Sequence, residues 1–172
     1  MVNGGDPPVI AQVVLNGFVE SAHRGIIVVT RADGSVSYSR GDYTSDILPR
    51  SALKPLQALA MVRCGLDVPS DQLAVACASH SGEPMHLQTV LDLLHGAGLD
   101  ESDLRNTPDL PLMDAQRNEW IAAGRGPSSL AQNCSGKHAA MLATSALNEW
   151  RRDTYLNRGH PAQQAVLETI RS

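Results

Sequence analysis

The sequence predicts a mixed α/β fold, in which helices pack in layers against a small sheet. Two runs rich in β-branched residues flank an Asp-Gly dipeptide, another such run precedes them, and several segments with helical spacing of apolar residues follow. Apolar residues make up 42% and charged residues 19% of the 172 residues, an ordinary globular balance. This length suffices for one domain with a core, so we expect a single domain over residues 1–172.

The predicted strands lie in the first 40 residues. A first strand is expected over 13–19. The runs 25–30 and 35–39 are separated by Asp33 and Gly34, and a run–turn–run pattern with Asp-Gly is typical of a β-hairpin. The sequence therefore predicts one hairpin preceded by one strand.

Helical spacing begins near Ser51 and stops at Gly65. The start is constrained by Pro55, because proline is tolerated only near a helix N-terminus. The short apolar segment 73–78 predicts either a buried strand or a helical segment. Four further helices are predicted from Pro84 to about Gly96, over 115–123, from about Gly136 to Trp150, and from Pro161 to Ser172.

Charge and composition exclude several classes of function. The net charge of −4 argues against a nucleic-acid partner, and no apolar run reaches membrane-spanning length. Residues 1–8 lack the basic start and apolar stretch of a signal peptide. The three cysteines, Cys64, Cys77 and Cys134, are odd in number and sparse, so we expect reduced thiols and a cytoplasmic protein.

A serine and a lysine three residues apart stand at the first predicted helix start. On a helix, Ser51 and Lys54 would share a face, so the amine can reach the hydroxyl. A serine needs a neighbouring base to become a nucleophile, and a lysine serves as that base once burial or nearby positive charge lowers its pKa. The alternative is that Ser51 caps the helix and Lys54 is solvated.

Two further segments carry reactive side chains. In the loop of residues 79–82, Ser79 is a candidate second hydroxyl for proton shuttling, although Ser81 could simply cap the helix at Pro84. In the turn of residues 133–138, three interpretations of Cys134 compete. It could be a nucleophile with His138 as base, a metal ligand, or a buried small residue.

Together, these segments resemble one family. Residues 50–55, 77–81 and 133–138 are similar, in order and approximate spacing, to the asparaginase II family of the Rhizobium etli inducible type, the class 3 L-asparaginases. The resemblance implies a serine β-lactamase-like or glutaminase-like sheet with packed helices. It also implies hydrolysis of L-asparagine to L-aspartate and ammonia, although the choice between asparagine and glutamine is not fixed by the sequence.

The resemblance also implies roles for individual residues. Ser51 would be the nucleophile, Lys54 its base and Ser79 the second active-site serine, while Cys134 and Lys137 would bind zinc. Two more residues, Arg50 and His138, would line the substrate pocket.

The family pattern extends beyond this chain. A further cysteine ligand, an acidic residue and a second lysine are expected from a C-terminal half, and a homodimer is implied. We therefore expect residues 1–172 to be the N-terminal half of a longer catalytic domain, inactive alone unless a second chain completes it. The non-enzymatic alternative is a binding fragment that has lost its other half.

Overall fold

The computed structural model describes residues 6–172, which form two compact units, one ending at Leu48 and one over Pro49–Ser172. The first unit contains β-hairpins and the second contains helices. The predicted mixed α/β class is therefore confirmed at this level. Within residues 6–172, no helix is both long and apolar enough to cross a membrane.

The first hairpin corrects the prediction of one strand over 13–19. Strand β1 (Val9–Leu15) pairs antiparallel with β2 (Phe18–Arg24), and Leu15 lies opposite Phe18. Between them, Asn16 and Gly17 have positive φ angles of 50° and 81°. A two-residue turn with both φ angles positive favours Asn-Gly, so the chain reverses in the middle of the apolar run.

The second hairpin confirms the predicted one. Strand β3 (Ile27–Thr30) pairs antiparallel with β4 (Val36–Arg40), and the connection contains Gly34 at a φ of 83°. The two hairpins are separate two-stranded sheets. No side chain of residues 6–48 is buried.

Six helices form the second unit, and their order matches the predicted helical segments. A 3₁₀ turn over Arg50–Leu53 leads into the first of them, so the α-helix starts slightly later than predicted. The segment 73–78 belongs to a helix rather than a strand. The helices are α1 (Lys54–Arg63), α2 (Ser70–Cys77), α3 (Pro84–Gly96), α4 (Asp114–Ala122), α5 (Ser135–Leu147) and α6 (Pro161–Arg171).

Helix α5 is the centre of the helical core. It contacts α1, α2, α3 and α6, and most of its residues are buried. Its approach to α2 depends on Gly136, since a Cβ at this position would overlap the carbonyl oxygen of Val75. Glycine therefore permits direct backbone contact between these two helices.

Candidate active site

The amine of Lys54 is buried in the helical unit and lies among three acceptors. The side chain is 2% exposed. Its Nζ donates to the carbonyl oxygen of Ala78 at 2.7 Å and to Oγ of Ser79 at 2.8 Å, and it makes a longer contact of 3.5 Å with the carbonyl oxygen of Asn133. No ion pair to Lys54 is found within residues 6–172. The amine is thus held by uncharged oxygens alone, an unusual setting for a buried lysine.

These contacts bring together the three segments that the sequence singled out. Lys54 comes from the start of α1, Ser79 from the loop after α2, and Asn133 from the turn before α5. The last two segments are also joined directly, because the N–H of His80 donates to the carbonyl oxygen of Asn133 at 3.2 Å. Residues distant in sequence therefore meet around one amine.

Ser51 and Arg50 lie in the 3₁₀ turn that precedes Lys54. Both are exposed, and within residues 6–172 neither side chain makes a hydrogen bond. The hydroxyl that contacts the Lys54 amine is that of Ser79 rather than that of Ser51. Arg50 has a positive φ of 50°, a conformation that costs a non-glycine residue ~1–2 kcal/mol and is found preferentially at functional sites.

Cys134 and Lys137 lie within one helical turn at the start of α5. The Cys134 thiol donates to Oδ1 of Asn133 at 2.9 Å. Burial lowers the pKa of the Lys137 amine, the neighbouring Cys134 opposes this shift, and the positive charge of Lys54 adds to it. The net shift makes the neutral amine, which is the form able to bind a metal, easier to reach than in a solvated lysine.

Of these two residues, Cys134 offers an ordinary zinc ligand and Lys137 an unusual one, and two ligands are too few for a zinc site. A structural zinc ion takes four ligands. Within residues 6–172 there is no group of three or more His, Cys, Asp or Glu side chains that could hold a metal ion. The described residues therefore do not complete a zinc site by themselves.

Two buried histidines have pKa values that the positive charge of Lys54 helps to lower. Burial, followed by the positive charges of Lys137 and Lys54, lowers the pKa of His138 to about 3. Burial, followed by the positive charges of His86 and Lys54, lowers the pKa of His80 to about 4. Both rings are therefore neutral near pH 7.

The histidines have different partners. Nε2 of His80 lies 2.8 Å from Oγ of Ser135, and its ring stacks on that of His86 with 5.6 Å between centroids. Nδ1 of His138 lies 2.9 Å from the hydroxyl of Tyr155. No hydrogen bond joins His138 to the Cys134 side chain within the described chain. Tyr155 was missed by the sequence reasoning, because a single tyrosine 17 residues beyond the histidine carries no motif.

A family model described as L-asparaginase II matches residues 11–172, nearly the whole chain. A search of curated proteins found no match to this chain.

Proposed function

Because this chain belongs to the L-asparaginase II family, we propose that it carries the catalytic residues for hydrolysis of L-asparagine to L-aspartate and ammonia. The observation that carries the proposal is the buried Lys54 amine, which contacts the Ser79 hydroxyl at 2.8 Å and meets no carboxylate within residues 6–172. A buried amine within hydrogen-bond reach of a serine hydroxyl has the geometry required of its general base.

The acceptors around Lys54 indicate where its lone pair would point. A neutral amine has two N–H donors and one lone pair. The carbonyl oxygens of Ala78 and Asn133 can only accept, so they take the two N–H groups. The lone pair then faces Ser79, whose hydroxyl can donate to it. Ser79 is therefore the group through which Lys54 would receive a proton.

We assign Ser51 as the nucleophile and Ser79 as the proton relay. The Ser51 oxygen attacks the side-chain amide carbon of asparagine, its proton passes to Ser79, and the Ser79 proton passes to Lys54. Lys54 returns a proton to the leaving nitrogen, which departs as ammonia and leaves an aspartyl ester on Ser51. Water then attacks the ester, and the same relay restores Ser51 and releases aspartate.

Arg50 and His138 are proposed to bind the substrate. The exposed guanidinium of Arg50 is suited to pair with the α-carboxylate of asparagine. Glutamine differs by one methylene, which is worth only ~1–3 kcal/mol in a pocket, so a preference between these amides is left to measurement.

Ammonia release from L-asparagine tests the assignment. Ser51→Ala and Lys54→Met should each lose at least ~100-fold in kcat, since they remove the nucleophile and the base. Ser70→Ala, which changes an exposed serine at the start of α2, should retain full activity. Unchanged turnover by Ser51→Ala would exclude Ser51 as the nucleophile.

Two further experiments separate competing mechanisms. An acyl group found by peptide mass spectrometry on Ser79 instead of Ser51 would make Ser79 the nucleophile. If Cys134→Ala alone abolished turnover while Ser51→Ala did not, the enzyme would be a cysteine amidohydrolase with Cys134 and His138. Because the 172-residue chain is proposed to be inactive unless a second chain completes the site, these experiments should compare it with any longer native form.

Zinc binding by Cys134 and Lys137 is also proposed, on the basis of the family, the Cys134 thiol and the position of both residues in one turn. Zinc would need further ligands, and no catalytic step is assigned to it here. Metal analysis of purified protein should find zinc in the wild type and a loss of it in Cys134→Ala, whereas Cys64→Ala should retain it. Equal zinc contents in all of these proteins would contradict the proposal.

Three further properties of the protein are proposed from the family alone. They are a serine β-lactamase-like fold for the complete catalytic domain, a homodimer, and a cytoplasmic location. A crystal structure, light scattering after size exclusion, and cell fractionation would test them in turn.

A further inference from the structure

Tyr155 is fully buried between α5 and α6, and its hydroxyl has two neighbours. The side chain is 0% exposed. The backbone N–H of Arg105 donates to the hydroxyl oxygen at 3.1 Å, and Nδ1 of His138 lies 2.9 Å from the same oxygen. The His138 and Tyr155 rings also meet edge to face, with 5.7 Å between centroids. The orientation of His138 is therefore set by this tyrosine.

The hydrogen bonds of the hydroxyl determine the direction of the contact with His138. A phenol has one proton to donate, and its oxygen can accept. Arg105 already donates to that oxygen. Within residues 6–172, the only acceptor for the Tyr155 proton is Nδ1 of His138. Leaving a buried proton unpaired is unfavourable, so Tyr155 donates and Nδ1 carries no proton.

A neutral imidazole without a proton at Nδ1 must carry it at Nε2. No hydrogen bond engages Nε2 of His138 within the described residues. The buried side-chain atoms that lack a partner there are Nδ1 of His80 and Oδ1 of Asn106, and Nε2 of His138 is not among them. Nε2 therefore faces accessible space and presents an N–H donor to it.

We propose that Tyr155 is a positioning residue that fixes His138 in the Nε2–H form and directs this N–H to the substrate. The kinetic part of this inference rests on the proposed function. Asparagine offers carboxylate and amide oxygens, which accept hydrogen bonds. The opposite tautomer would present a lone pair to these oxygens and repel them, so the tyrosine decides whether His138 can bind.

Nuclear magnetic resonance of the full chain with ¹⁵N-labelled histidine tests the tautomer directly. His138 should appear in the wild type as a single Nε2–H form. Tyr155→Phe keeps the ring but removes the donor, so the Nδ1–H form should become populated. Ser145→Ala removes another buried hydroxyl from α5 without touching His138 and should leave its tautomer unchanged. A wild-type Nδ1–H form, or an unchanged tautomer in Tyr155→Phe, would overturn the proposal.

Kinetics supply a second and separate measurement. Tyr155→Phe should raise KM for asparagine by about 3–10-fold and leave kcat within about twofold, because the lost contact is made in the ground state and the transition state alike. An unchanged KM would contradict the substrate-directed role. Absence of turnover in every native form of the wild type, including any longer one, would disprove the proposed function, and the wild-type spectrum would still decide the tautomer without any variant.

Discussion

At the scale of single residues, the main property of the candidate site is buried positive charge that forms no ion pair with a carboxylate within residues 6–172. The charge of Lys54 helps to lower the pKa of Lys137, His80 and His138, although burial is the larger cause in each case. A neutral imidazole can donate one hydrogen bond and accept another, which suits it to orienting a substrate or a neighbouring hydroxyl. The same burial that prepares these groups for chemistry also makes the fold sensitive to acid.

His80 should make folding stability dependent on pH. Its pKa falls from 6.5 in the unfolded chain to about 4 in the fold, so between these values the unfolded state binds the proton more readily. The free energy of unfolding should therefore fall as the pH drops through this window, by about 2 kcal/mol between pH 8 and pH 5 from this group. Denaturant titrations at both pH values measure the effect.

Two variants isolate the contribution of His80. His80→Gln should lose about 2 kcal/mol of the pH dependence. His95→Gln, which changes an exposed histidine near the end of α3, should keep the wild-type dependence. Identical pH profiles for wild type and His80→Gln would show that His80 is not held neutral in the folded protein.

At the scale of elements, the contact of α2 with α5 fixes the geometry of the site. Ser79 follows the end of α2, and Cys134 precedes the start of α5. Because Gly136 lets the helix backbones meet, the loop after α2 lies close enough for His80 to donate to Asn133. The position of the candidate catalytic groups thus depends on a residue with no side chain.

Gly136→Ala should destabilise the protein strongly. The added methyl group would overlap the backbone of Val75, and forcing such a contact apart costs about 1–3 kcal/mol or more. Gly96→Ala, at the end of α3, meets open space and should be neutral or stabilise by up to about 1 kcal/mol. Thermal unfolding of the two variants measures the difference, and equal melting temperatures would disprove the packing argument.

The helices were largely predicted from sequence, whereas the first hairpin and some site contacts were not. Pro84 and Pro161 mark helix starts through local chemistry, so both were placed correctly. The β1–β2 turn was missed, although Asn16-Gly17 between apolar residues is itself a strong local signal for a two-residue hairpin turn. The contact of Lys54 with Ser79 spans 25 residues and follows from tertiary packing, which spacing along the chain does not reveal.

At the scale of the whole molecule, burial is distributed unevenly. The core lies in the helical unit, where Ala60, Val90, Leu94 and Leu142 are fully buried. No side chain of residues 6–48 is buried, and Phe18 is 72% exposed. Two-stranded hairpins without a buried face are marginally stable in water, so the two units should differ greatly in local stability.

Native-state hydrogen exchange should detect this difference. Amides in the β1–β2 and β3–β4 hairpins should exchange at least ~100-fold faster, after correction for intrinsic rates, than amides in the middle of α5. Fragment mass spectrometry of the 172-residue chain resolves the two regions. Equal protection of the hairpins and α5 would mean that the hairpins are covered in solution.

The backbone contact at Gly136 also bears on protein engineering. The main chains of α2 and α5 touch there, and no side chain lies between them. Substitutions at that contact therefore cannot be used to adjust the gap between the two helices. Directed evolution toward bulkier amides should therefore find its useful mutations in the exposed turn around Arg50, while libraries at the helix contact yield mostly misfolded protein.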